Sequence, residues 1–135
     1  MLKYILSGTL GIAINIAPCF AIANNLKPPY PLPNKSGDYN SILTTNPKGK
    51  NGPHYYWTVV SNQLNCRSQP GIDKQVIKVL SKNDGMSIAG KPQVFRDKKG
   101  QPWLYIAGVG SVSDIKLRCY VRANSQFIQP VPYDL

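Results

Sequence analysis

From Tyr55 onward the chain alternates short β-branched or aromatic runs with clusters of Asn, Asp, Gly and Pro, the texture of strands separated by tight turns. The apolar runs predict strands at Tyr55–Val60, Val76–Leu80, Gly85–Ala89, Trp103–Ala107 and Leu117–Val121. Turns fall at Gln69-Pro70-Gly71, Lys82-Asn83-Asp84-Gly85 and Asp97-Lys98-Lys99-Gly100, whose residues tolerate unusual backbone angles. Tyr55-Tyr56-Trp57 alternates with period two, which puts Tyr55 and Trp57 on one face and Tyr56 on the other. No stretch repeats apolar residues at i, i+3 and i+4, so no amphipathic helix is expected. The fold class is all-β, a small and strongly bent barrel of about five strands.

The first half reads differently. Met1-Leu2-Lys3 gives a short positive start, Tyr4 to Ala17 is an uncharged and mostly apolar run, and Ala21-Ile22-Ala23 is a small-residue cleavage pattern. Residues 1–23 therefore read as a secretory signal peptide. As a helix the apolar run would reach roughly 21 Å, short of the roughly 30 Å hydrocarbon core, so no transmembrane anchor is expected. Residues 24–52 carry Lys27-Pro28-Pro29-Tyr30-Pro31-Leu32-Pro33 and then an Asn, Lys, Gly and Ser-rich stretch without apolar periodicity. That composition predicts a flexible linker, extended near its start, leading to a barrel domain over 53–135.

Charge and cysteine content narrow the function. The 135 residues carry 16 Lys and Arg against 6 acids, all of them Asp, for a net charge of +10 and an anionic partner. A single histidine, no glutamate and scattered aspartates offer little for acid/base chemistry, so no enzyme, metal site or cofactor is expected. Cys19 would leave with the signal, and Cys66 and Cys119 then form an even pair in an exported chain. Such a pair reads as a disulfide, with two buried free thiols as the alternative. His54, twelve positions before Cys66, is expected to be exposed at the domain edge and not a catalytic partner.

Leu64-Asn65-Cys66-Arg67-Ser68-Gln69-Pro70-Gly71 resembles the LNVRSGPG signature of bacterial SH3 domains. In the family's order follow Val76-Ile77-Lys78-Val79-Leu80 for its I-x-x-L strand, Gly85-Met86-Ser87-Ile88 for G-x-x-V and Trp103-Leu104-Tyr105-Ile106 for W-x-x-V. Tyr120-Val121 and Phe127-Ile128 stand where the family closes with W-V and Y-L, so the likeness covers about Tyr55 to Pro130. Cys66 replaces a core valine, Gln69 replaces a turn glycine, Asn83-Asp84 lengthens a turn, and Gly108 to Lys116 inserts a loop. The resemblance implies a short secreted protein of the cyanobacterial kind with an SH3-like barrel, in which a Cys66–Cys119 bridge ties the first long loop to the last strand. It also implies a non-catalytic module, periplasmic or extracellular, that recognises cell-wall peptide or another anionic envelope ligand.

Arg67, Arg118 and Arg122 flank the two cysteines and would be gathered by the bridge. Arginine holds a carboxylate or phosphate through two parallel hydrogen bonds, so these three, with Tyr56 and Tyr120 as stacking surfaces, are the expected ligand-binding residues. A second reading makes the chain an inhibitor or accessory subunit of another exported protein, touching it through the Gly108–Lys116 loop. Nucleic acid is a third reading that the charge allows, but not the expected one.

Overall fold

The structure, a computed structural model, describes residues 30–45, 51–108 and 116–132. The proposed signal peptide and Cys19 lie outside the described residues, as do residues 24–29 and 46–50 of the expected linker and most of the inserted loop. The fold is all-β. Strands β1 (Leu43–Thr45) and β2 (Asn51–Pro53) form an antiparallel pair of their own. The main sheet is built from β3 (Tyr56–Val59), β4 (Gln63–Arg67), β5 (Val76–Ser81), β6 (Gly85–Ile88), β7 (Val94–Arg96), β8 (Pro102–Ala107), β9 (Arg118–Arg122) and β10 (Ile128–Pro130).

Its order is β10-β3-β6-β8-β9-β4-β5, with β7 on β8, and every pairing is antiparallel. Period-two alternation sends one set of side chains from each strand inward. Trp57 and Val59 (β3), Leu64 and Cys66 (β4), Leu80 (β5), Met86 and Ile88 (β6), Leu104 and Ile106 (β8), Cys119 and Val121 (β9) and Ile128 (β10) meet in a single core cluster. A sheet whose strands all bury one face in the same cluster must curl on itself, which gives the barrel-like form. Cys66 and Cys119 are joined by a disulfide within that core, Cα to Cα 5.5 Å, tying neighbouring strands β4 and β9.

The five expected strands are present with no end shifted by more than one residue, and β1, β2, β4, β7 and β10 are additional. Asn83 takes φ 72° in the turn before β6, and Asp97 caps the turn before β8 by accepting from the Lys99 and Gln101 amides at 2.9 Å.

The expectation of a flexible linker does not hold for residues 30–45. Tyr39 is fully buried and Ile42 nearly so, both within the core cluster. The Tyr39 amide donates to the Ala123 carbonyl at 2.9 Å, and the His54 amide donates to the Ile42 carbonyl at 2.7 Å. Gly37, at φ +84°, lets this strap approach the β9–β10 turn, where a Cβ would come 2.7 Å from Ser125 Oγ. Two isolated anchors and a set of polar contacts hold the strap, so no apolar periodicity announces it. His54 is likewise corrected from exposed to buried. Its Nε2 donates to the Val131 carbonyl at 2.8 Å, and its ring packs edge-on against Tyr30 and Trp57. Burial disfavours the imidazolium and lowers its pKa, against the opposing effect of backbone hydrogen bonds at Val131 and Tyr56.

Candidate functional site: a cationic cleft beside the first long loop

On the outer side of the sheet β4 turns Gln63, Asn65 and Arg67 away from the core, since the alternate positions Leu64 and Cys66 are buried. Across from this wall stand Lys99 and Gln101 from the β7–β8 turn and Trp103 from β8. Arg122 at the end of β9 and the polar turn that follows it complete an open cleft of about 420 Å³. Among the described residues no carboxylate is one of its walls, whereas Arg67, Lys99 and Arg122 are.

Each side chain has a local reason for its position. Trp103 is almost fully buried, and its Nε1 donates to Asp97 Oδ2 at 2.9 Å, which fixes the indole as part of the cleft wall. Burial would raise the Asp97 pKa, but hydrogen bonds from Trp103, Gln101 and Lys99 and the charge of Arg122 hold it below the ordinary carboxylate value. Arg67 Nη1 donates to the Lys74 carbonyl at 2.7 Å, which anchors one arm of the guanidinium fork. A guanidinium carries five donors in a plane, so one anchored arm orients the remainder.

Arg122 is held more tightly. Its Nη2 donates to Asp38 Oδ1 at 2.7 Å and its Nη1 to the Pro102 carbonyl at 3.0 Å. Asn124 Nδ2 donates to the same Asp38 oxygen at 2.8 Å. Burial pushes the Asp38 pKa up, but the Asn124 and Arg122 hydrogen bonds and the charges of Arg122 and Arg96 hold it below its ordinary value. The strap thus places the chain's own carboxylate on one of the expected anion-binding arginines.

The five expected ligand residues do not form one site. Arg67 and Arg122 line the cleft; Arg118, Tyr56 and Tyr120 do not. Tyr120 lies opposite Arg67 in the β4–β9 pairing and belongs to a cluster with Phe95 and Tyr105, ring centroids 5.2 and 4.7 Å away. Tyr56 and Arg118 end a single cross-strand row, Tyr56–Ser87–Ala107–Arg118, which at the usual strand spacing separates them by about 14 Å. The disulfide gathers Arg67 toward β9, and alternation keeps Arg118 on the same face as Tyr120 and Arg122, but Arg118 stands at the opposite end of the strand from the cleft residue Arg122. Lys99, Gln101, Trp103 and Phe127 were not among the expected residues, because turn lysines and a core tryptophan carry no spacing that marks them as cleft walls.

Among the described residues no three His, Cys, Asp or Glu side chains cluster to hold a metal, and no helix is long and apolar enough to cross a membrane. Both described cysteines are oxidised, so neither supplies a thiolate. The cleft can receive an anion against its cationic groups, and its amide side chains can both donate and accept hydrogen bonds. Comparisons with protein-family models, with curated proteins and with solved structures find no match.

Proposed function

We propose that the chain is an exported, non-catalytic binding module whose cleft receives a carboxylate-bearing ligand of the cell envelope, cell-wall peptide in the first instance. The observation that carries this reading is the cleft lined by Arg67 and Lys99, with Arg122 beside them paired to Asp38 and no carboxylate among its described walls. A guanidinium oriented through one arm, as Arg67 is, beside the Lys99 ammonium favours a ligand that offers a carboxylate. The resemblance of residues 55–130 to bacterial SH3 domains supports a binding role. The N-terminal apolar run supports export, as does the disulfide, a bond that persists in oxidising compartments.

The test is co-sedimentation with purified cell-wall sacculi, comparing material with free stem-peptide carboxylates to material in which they have been amidated. Retention on the free form and release from the amidated form is expected. Equal retention on both, lost uniformly at moderate salt, would reduce the interaction to bulk electrostatics.

A further inference from the structure

We propose that the outer edge of β5 is a docking surface for an extended acidic segment of a partner protein, which adds to the sheet as a further strand. β5 ends the strand order, and among the described residues no strand covers its second edge. Such an edge presents alternate backbone N–H and C=O groups to whatever approaches it. Four of the eight exposed large hydrophobic residues among those described gather here: Ile72 at 61%, Val76 at 39%, Ile77 at 47% and Val79 at 48% exposure. The strand is six residues long and contains no proline. Lysine on an edge can simply repel unwanted strands, but a purely defensive edge has no use for four exposed aliphatic side chains.

Register connects this strip to the cleft. Val76 lies opposite Arg67 and Val79 opposite Asn65, both cleft residues, and Ile72 itself lines the cleft. Lys78 lies within β5, and Lys74 and Lys82 lie just before and just after it, in a chain of net charge +10. An occupant that alternates acidic and β-branched residues would satisfy backbone, aliphatic strip and lysines together. A second copy of this chain fits poorly in the register centred on Lys78. Antiparallel self-pairing centred on Lys78 sets that lysine against its own copy and Lys74 against Lys82, and like charges directly opposite destabilise a pair. The edge goes beyond the cleft reading and stands without it: with both surfaces in use, the module joins an envelope ligand to a protein.

The experiment uses the isotopically labelled full chain with its disulfide intact, and as probe a capped peptide of about eight residues alternating Glu and Val, a length matched to one strand. Saturable binding should slow amide exchange in β5 and shift the Val76 and Val79 methyl signals. N-methylation of the peptide's alternate amides should weaken binding by about tenfold or more, the factor expected from losing its strand hydrogen bonds. Replacing Glu by Lys in the probe should abolish binding. Shifts confined to Arg67, Lys99 and Trp103 with β5 unchanged would overturn the proposal and leave the cleft reading intact. Indifference to N-methylation, no binding at all, or β5 protection that grows with protein concentration without peptide would overturn it as well.

Discussion

Tyr39→Ala should destabilise the protein about as much as removing a central barrel residue, although position 39 precedes every described strand. Tyr39 is fully buried, its ring meets that of Trp57 edge-on with centroids 5.0 Å apart, and its amide is bonded to Ala123. Truncating a buried aromatic ring to alanine costs about 3 to 5 kcal/mol, through lost transfer energy and the cavity left behind. For a domain of this size that lowers the thermal midpoint by at least about 12 °C. The comparison variant is Tyr39→Phe. The Tyr39 hydroxyl is buried with no hydrogen-bond partner among the described residues, and burial pushes its pKa up to about 12. Removing an oxygen that makes no bond should leave stability unchanged or raise it slightly. Chemical denaturation of the oxidised protein, followed by tryptophan fluorescence, reads both variants. A loss below about 1 kcal/mol for Tyr39→Ala, or equal losses for the two variants, would refute the strap as part of the core.

Reduction of Cys66–Cys119, which closes a 53-residue separation, should cost roughly 4 kcal/mol by loop entropy, read as the difference in denaturation midpoint with and without reductant. Stability should fall as pH drops below 6.5, because the unfolded chain then protonates His54 while the folded chain, with its pKa lowered, does not. His54→Gln should flatten that slope. A further decline should set in below pH 3.8, where the unfolded chain takes up protons that Asp38 and Asp97 resist through their lowered folded pKa values. Asp38→Asn should cost about 1 to 3 kcal/mol in stability by leaving Arg122 without its carboxylate, and should also tighten carboxylate binding in the cleft, as calorimetry would show.

The β-rich part of the fold is legible because its signals are local. Alternation at β3, the glycine and asparagine turns, and the apolar runs at β5, β6, β8 and β9 each specify an element without reference to the rest. Strands β4 and β7 are harder to read, since polar outward positions such as Gln63, Asn65 and Arg96 interrupt them. The strap is illegible for a different reason: Tyr39 and Ile42 are single apolar positions that join a core assembled from distant strands, and the Tyr39 amide and Asp38 meet Ala123 and Arg122, each 84 positions away. No window of sequence contains both partners. The candidate site divides in the same way. Arg67 and Arg122 stand out as arginines beside or near the cysteines, but only the curl of the sheet shows that Lys99 and Trp103 face them and that Arg118 and Tyr56 do not.

The most direct test of the cleft is calorimetric titration of soluble peptidoglycan fragments bearing free stem-peptide carboxylates into three proteins that differ only at exposed or partly exposed cations. Arg67→Ala with Lys99→Ala removes two charges from the cleft; Lys91→Ala with Lys98→Ala removes two charges from exposed positions outside it. Against the unaltered protein, the first pair should lose affinity by about tenfold or more at physiological salt, since each hydrogen bond to a charged group contributes about 1.5 to 3 kcal/mol. The second pair should stay within about twofold, the size of a screened surface effect. Equal losses from the two pairs would contradict a specific site and leave a diffuse basic field in its place.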